Sequence, residues 1–180
     1  DFKQLDDEQF YRSVNSILNN TKHLSETINT FRDFFKSDKE KVLLNLKETY
    51  LKTKELIHSK YSNSEIILIE EIEDIELVGL ESDLIQVLMN ILNNAKDALD
   101  SKKSDEQKYI FITITKDKYY AIITITDNAG GIPEDIVNKI FDPYFTTKHK
   151  SLGTGLGLHM SYKIITESLN GKIYVENTIH

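Results

Sequence analysis

The glycines and prolines of this chain are concentrated in one stretch, which runs from Asp127 to Leu158. Five of the seven glycines and both prolines fall within it. Glycine tolerates positive φ and lets a backbone approach a ligand closely, so this concentration indicates a site built from loops. Its last part, Gly153–Gly157, leads into an apolar helical pattern, and the free N–H groups of a helix N-terminus suit phosphate. Taken alone, so short a glycine motif is equally compatible with a flexible hinge.

The charge and residue content of the chain exclude several classes of function. The formal net charge is −7, which argues against non-specific binding to nucleic acid and requires a local positive site for any anionic ligand. There is no cysteine, so disulfides and thiolate metal sites are excluded. No apolar run approaches the roughly 18–20 residues of a membrane span, and the N-terminus does not resemble a signal peptide. Nothing in these features indicates secretion, and the expected location is the cytoplasm.

The N-terminal part of the chain carries a heptad pattern. Apolar or small residues recur in alternating steps of four and three at Phe10, Val14, Ile17, Thr21, Leu24, Ile28, Phe31 and Phe35. This spacing predicts one long helix from about Asp6 to Phe35 with a narrow apolar stripe, which needs a second helix to cover it. We therefore expect dimerisation through this helix, or a partner helix that lies outside this sequence. His23 lies beside the stripe, and we interpret it as a solvated or packing histidine rather than a phosphoacceptor.

Residues 38–100 contain two predicted helices separated by two short strands. Leu43 begins a helical repeat that extends to about Lys60, and β-rich runs follow at 66–69 and 76–79. Ser82 is predicted to cap a second helix, from Asp83 to about residue 100.

Three polar residues of this second helix share one stripe, namely Asn90, Asn94 and Asp97. Polar groups beside a buried face are costly unless they have a partner. Amide and carboxylate oxygens suit Mg²⁺, which takes few protein ligands and fills its remaining positions with water and substrate phosphates. From these three residues alone, the polar edge of an ordinary amphipathic helix is the favoured reading.

The C-terminal part of the chain alternates strands, loops and one helix. Two runs, 109–115 and 119–126, predict a β-hairpin, whose second strand ends at Asp127. A carboxylate held there, next to glycines, could accept a hydrogen bond from an exocyclic amine. A short helix is predicted from Glu134, a basic lid from Thr146 to Leu152, a helix from Leu156 to Leu169 and a strand over 172–176, the ranges being read from the pattern of polar and apolar residues.

Four motifs in this order resemble the ATP-binding domain of sensor histidine kinases, within the superfamily that includes gyrase, Hsp90 and MutL. Residues 90–98 are similar to the N box, 127–132 to the G1 box, 141–148 to the F box and 153–158 to the G2 box. The resemblance covers about residues 40–180, and four ordered boxes are a specific signal. Ala129 departs from it by replacing the first glycine of the G1 box.

The resemblance implies an α+β fold of the Bergerat type, a two-layer α/β sandwich. A mixed sheet of about five strands carries helices on one face and is preceded by the long coiled-coil helix. Residues 1–37 then form part of a dimerisation and histidine-phosphotransfer domain, and residues 38–180 the ATP-binding catalytic domain. The acceptor histidine is expected on a helix absent from this sequence, and a further strand is expected after His180.

The resemblance also assigns roles to individual residues. Asn90, Asn94 and Lys148 are the expected catalytic residues, with Asn94 as the Mg²⁺ ligand and Asp127 as the acceptor from the adenine amine. Asn90 is an amide where the superfamily's ATPases carry a water-activating glutamate, and an amide cannot act as a general base. The expected ATP-binding set comprises Asn90, Asn94, Asp97, Asp127, Gly131, Ile132, Lys148, Gly153, Thr154, Gly155, Leu156 and Gly157.

The implied activity is transfer of the γ-phosphoryl group of Mg·ATP to a histidine, followed by relay to an aspartate of a response-regulator receiver domain. The expected partners are a second copy of the chain and that regulator, with no nucleic acid and with a membrane only through segments outside this sequence. Two alternatives are a serine-directed kinase of the same fold and a non-catalytic dimerisation module with a vestigial ATP pocket. The heptad helix argues against the first, and the intact motif residues argue against the second.

Overall fold

The computed structural model describes residues 9–15, 17–18, 21, 40–62, 64–102, 106–148 and 153–178. The chain divides into two units, one formed by Glu40–Thr146 with Gly155–His180 and the other by Asp1–Lys39 with Thr147–Thr154. None of the helices in the described ranges combines the length and the apolar character that crossing a membrane requires.

The predicted heptad helix lies largely outside the described residues, and so does His23. Residues 9–15, 17, 18 and 21 are helical. Two residues of the apolar stripe, Phe10 and Ile17, are 54% and 64% exposed. These two apolar side chains are thus largely in contact with solvent.

The larger unit contains the secondary structure that positions the site. Its strands and helices are β1 (Val42–Asn45), α1 (Leu46–Tyr61), β2 (Ile66–Ile72), β3 (Glu76–Gly79), α2 (Glu81–Ser101), β4 (Lys108–Lys116), β5 (Ala121–Asp127), α3 (Glu134–Val137) and α4 (Gly157–Lys163), the last continued by a π-helix (Ile164–Ser168).

The strands form two sheets. β2 pairs parallel with β4, and β4 pairs antiparallel with β5 as the predicted hairpin, which is confirmed. β1 pairs antiparallel with β3 in a separate two-stranded sheet. The prediction of about five strands in one sheet is therefore wrong for the described ranges. The link between β2 and β3 accounts for the division, because Ile75 is buried and its carbonyl accepts from Leu46 N at 2.9 Å, which directs β3 towards β1.

The first predicted helix begins later than its apolar spacing indicated. Leu43 lies in β1, where it pairs with Val78. The side chain of Asn45 accepts from Glu48 N at 3.1 Å, so this residue caps α1 and the helix begins at Leu46. Leu43 fits the helical repeat by its spacing to Leu46, although it belongs to the strand before the helix.

Three further boundaries differ from the predictions. Ser82 does not cap α2, which begins at Glu81 after Leu80 without a side-chain cap. The single α-helix predicted up to Leu169 is α4 followed by the π-helix, and Asn170, with φ of 54°, ends it. The strand predicted over 172–176 is absent, since residues 171–178 form no ladder with the described strands.

The core lies between the three-stranded sheet and the two long helices. Ile110, Ile112 and Ile114 point into it from alternate positions of β4, whereas Phe111 between them is exposed on the opposite face. Tyr61 at the end of α1 donates a hydrogen bond to Leu92 O of α2 at 2.7 Å. The helices therefore cover one face of this sheet.

Leu92→Ala should reduce the free energy of unfolding by about 2–5 kcal/mol, because the side chain is 0% exposed and its removal leaves a cavity. Leu51→Ala, at a position on α1 that is 46% exposed, is the matched control and should cost less than about 1 kcal/mol. Urea denaturation of both variants measures the difference. Equal losses would contradict the assignment of Leu92 to the core.

Candidate functional site

Asn90 joins the N-box helix α2 to the G2 segment, residues 153–158. Its Nδ2 donates to Gly157 O at 3.1 Å and to Ser161 Oγ at 3.3 Å. Ser161 is fully buried and its hydroxyl donates to Gly157 O at 3.0 Å. A Cβ placed on Gly157 would lie 3.5 Å from Asn90 Oδ1, so the two residues are in contact. Sequence analysis placed Asn90 at the site and missed Ser161, whose only signal was its position within an apolar helical pattern.

Asn94 and Asp97 follow Asn90 along α2. Asn94 is half-buried and Asp97 is exposed. The described residues contain no cluster of three or more histidine, cysteine, aspartate or glutamate side chains able to hold a metal ion. The role of Asn94 as a Mg²⁺ ligand therefore stays a prediction.

Asp127 ends β5 and starts the G1 turn, a name used here for residues 127–132. Its Oδ1 accepts from Ala129 N at 3.0 Å. Gly130 and Gly131 have φ of 109° and 80°, conformations that favour glycine. The alanine that replaces the first motif glycine is therefore tolerated, because the positive φ values fall on the two residues after it.

The pKa of Tyr61 is affected by carboxylates from both the N-box helix and the G1 turn. Burial raises the pKa of the Tyr61 hydroxyl, and the carboxylates of Asp97, Asp100 and Asp127 raise it further. The Tyr61 hydroxyl is bonded to the α2 backbone at Leu92. The negative charge of both motifs thus keeps the Tyr61 hydroxyl protonated, as the donor of its bond to Leu92 O.

The G1 turn is held by two asparagines that sequence analysis did not select. Asn128 Oδ1 accepts from Tyr109 N at 2.8 Å, and its Nδ2 donates to Gln107 O at 2.9 Å. Asn177 Oδ1 accepts from Ile132 N at 2.8 Å, and its Nδ2 donates to Ile132 O at 2.7 Å. These are contacts of side chains to backbone, which no residue-type pattern reveals.

The F box meets the G2 segment through backbone atoms. Tyr144, with φ of 65°, donates its N–H to Gly155 O at 3.0 Å. A Cβ placed on Gly155 would lie 2.3 Å from the carbonyl carbon of Tyr144. The rings of Phe141 and Tyr162 lie 5.6 Å apart. Gly155 is thus required for the close approach of the two motifs.

The other residues predicted to contact the phosphates belong to different units of the chain. Leu156 precedes α4, and its carbonyl accepts from Met160 N at 2.8 Å. Lys148, Gly153 and Thr154 belong to the other unit, so their contacts with the nucleotide stay predictions. Residues 149–152 of the predicted lid lie outside the described residues.

The chain is similar to known kinases in sequence. A family model described as histidine kinase-, DNA gyrase B-, and HSP90-like ATPase matches residues 79–180, more than half of the chain. Sporulation kinase A of Bacillus subtilis is 32% identical over 139 residues, which cover 76% of this chain and 22% of that protein. The sensor protein KdpD of Clostridium acetobutylicum is 32% identical over 182 residues, covering 96% and 20%. The chain spans about a fifth of the length of these relatives.

Solved structures show the same likeness. The catalytic domain of histidine kinase ThkA matches with a TM-score of 0.69 at 32% identity, covering 78% of this chain and 90% of that chain. ThkA in complex with the response regulator protein TrrA matches with a TM-score of 0.73 at 27% identity, covering 98% and 50%. The predicted α+β class and the predicted resemblance are confirmed. The chain belongs to the family of histidine kinase-, DNA gyrase B- and HSP90-like ATPases, as an ATP-binding catalytic domain of the sensor histidine kinase type.

Proposed function

We propose that this domain binds Mg·ATP and transfers the γ-phosphoryl group to a histidine on a helix outside this sequence, for relay to a response-regulator aspartate. The observation that carries the proposal is the junction of three motifs. Asn90 on the N-box helix bonds to Gly157 of the G2 segment, and Gly155 of that segment bonds to Tyr144 of the F box. Residues far apart in sequence thus converge around the start of α4.

The adenine end of the site is assigned to the G1 turn. Asp127 uses Oδ1 for Ala129 N, and within the described part of the chain its Oδ2 accepts no hydrogen bond. That oxygen can accept from the adenine amine, whereas guanine carries a carbonyl oxygen at the corresponding position. Gly131 and Ile132 complete the turn after Gly130. This end of the site selects the base.

The phosphate end is assigned to α2, the lid and the G2 segment. The amide oxygen of Asn94 would hold Mg²⁺, with Asp97 on a metal-bound water and Asn90 towards the phosphates. Lys148 and the backbone N–H groups from Gly153 to Gly157 would hold the phosphate oxygens. When bound, Mg²⁺ neutralises charge on the β- and γ-phosphates, and the protein contributes mainly positioning.

The larger assembly is part of the proposal. We propose a two-layer sandwich of the Bergerat type over residues 38–180, and a long coiled-coil helix within 1–37 that pairs with a second copy. The exposure of Phe10 and Ile17 supports this pairing. The response regulator is proposed as partner because ThkA was solved with TrrA. A cytoplasmic location, with any membrane attachment through other segments, is proposed from relatives that are sensor proteins.

Calorimetric titration with a non-hydrolysable ATP analogue, with and without Mg²⁺, tests the site. The wild type should bind more tightly with Mg²⁺, and Asn94→Ala should lose about tenfold or more of the metal-dependent affinity, the size expected for a lost interaction with a charged group. Asn93→Ala is the matched control, since it removes the neighbouring amide from a different face of α2. Absence of binding to folded wild type would refute the proposed function, and unchanged Mg²⁺ dependence in Asn94→Ala would refute the assigned ligand.

A further inference from the structure

We propose that Asn177 is a positioning residue for adenine recognition, acting through the G1 turn. The inference rests on the proposed function, in which Asp127 accepts from the adenine amine. Asn177 lies in the irregular segment 171–178, and its side chain contacts the turn at Gly131 and Ile132.

The contact with Ile132 satisfies both of that residue's main-chain groups. Asn177 Oδ1 accepts from the N–H at 2.8 Å, and Nδ2 donates to the carbonyl at 2.7 Å. A side-chain amide provides one acceptor and donors in a single planar group, as a neighbouring strand would. A carboxylate of the same size keeps the acceptor and loses the donor, and an alanine loses both.

Gly131 makes room for this contact. A Cβ at Gly131 would lie 2.7 Å from Asn177 Oδ1, so the asparagine occupies the space that any other residue's side chain would need. Gly131 also has φ of 80°. Glycine is therefore favoured at position 131 by its φ, and a larger residue there would have to displace the Asn177 amide from Ile132.

The two halves of the turn are fixed from different elements. Asn128 ties the first half to β4 through Gln107 and Tyr109. Asn177 ties the second half to the C-terminal segment. Between these anchors, a Cβ at Gly130 would meet nothing within 4 Å, so no atom packs against that side of the residue. If Ile132 loses its bonds to Asn177, Gly130 and Gly131 can reorient. The N–H of Ala129, which donates to Asp127 Oδ1 and orients that carboxylate, is then held less firmly.

The consequence is specific to the base. Loss of Asn177 should weaken recognition of the 6-amino group and leave the phosphate contacts on α2 and α4 unchanged. A general loss of stability would lower the affinity for every nucleotide by the same factor. The ratio of affinities for two nucleotides that differ only at the base separates the two effects.

Calorimetric dissociation constants for ADP and inosine diphosphate, which has oxygen in place of the 6-amino group, provide the test. Asn177→Ala should lose about tenfold in ADP affinity, the size expected when one hydrogen bond to the charged Asp127 carboxylate is misaligned, with little change for inosine diphosphate. Asn177→Asp should show an intermediate loss and serves if the alanine variant unfolds. Tyr174→Ala, at a position 77% exposed on the same segment, is the control and should keep the wild-type ratio.

Three outcomes would overturn the inference. An unchanged ADP to inosine diphosphate ratio in both Asn177 variants would reduce the contact to a stabilising one. A ratio altered equally by Tyr174→Ala would assign the effect to the whole segment. Failure of the wild type to bind ADP would refute the proposed function as well, and the other two outcomes leave that function intact.

Discussion

Asp127→Asn is expected to weaken ATP binding by about 10- to 100-fold. A hydrogen bond to a charged group contributes about 1.5–3 kcal/mol, and the amide that replaces it can turn a donor towards the adenine amine, which is also a donor. The substituted side chain can still accept from Ala129 N, so the turn retains the bond that Asp127 makes at 3.0 Å. The loss should therefore fall on the ligand and not on the fold.

Titration of the ATP analogue into Asp127→Asn measures this loss. Asp135→Asn is the matched control, because it makes the same chemical change at an exposed position in the first turn of α3. The control should bind like the wild type and show the same thermal unfolding. Comparable affinity in Asp127→Asn and in the control would remove Asp127 from the site.

Gly155→Ala is expected to reduce the free energy of unfolding by about 2–5 kcal/mol, from overpacking and from a left-handed backbone. The new Cβ would lie 2.3 Å from the carbonyl carbon of Tyr144 and 2.7 Å from Phe145 O. These are backbone atoms, so no change of rotamer relieves the clash. Gly155 also has φ of 67°, which an L-residue adopts only with strain. Separation of the F box from the G2 segment should accompany the loss.

Gly157→Ala is the matched control for stability. Its Cβ would lie 3.5 Å from Asn90 Oδ1, an ordinary van der Waals contact, and the residue opens α4, where alanine favours the helix. Thermal unfolding should show less than about 1 kcal/mol of change for this variant. If Gly155→Ala were as stable as Gly157→Ala, the close approach of Tyr144 to Gly155 would be wrong.

The spacing of apolar residues predicted the individual helices and strands better than it predicted which strands pair. The alternation in β4 and β5 and the apolar spacing of α2 were sufficient, because each reflects one buried face. The partition into two sheets depends on the link around Ile75, whose burial no local pattern indicates. The helical pattern fails at Leu43, whose spacing to Leu46 is helical although the residue pairs with Val78 in β1.

The residues of the candidate site also differ in whether the sequence could predict them. Asn90 and the motif glycines could be selected because their residue types and order are distinctive. Asn177 could not, since it contacts Ile132 through backbone groups that every residue possesses. The additional bonds of Asn90 to Gly157 and Ser161 were likewise invisible in the sequence, because a polar stripe on a helix does not reveal what faces it.

The helix that follows the G2 segment, α4 with its π-helical continuation, is hydrogen-bonded to α2 near both of its ends, which restricts their relative motion. At its start, Gly157 O accepts from Asn90 Nδ2 at 3.1 Å, and at the end of the π-helix, Ser168 Oγ donates to Asp83 Oδ2 at 3.0 Å. Two separated attachment points remove the freedom to pivot that one point would leave. A displacement of Gly157 would therefore either move α2 together with this helix or break one of the two hydrogen bonds, which opposes a hinge motion between the two helices.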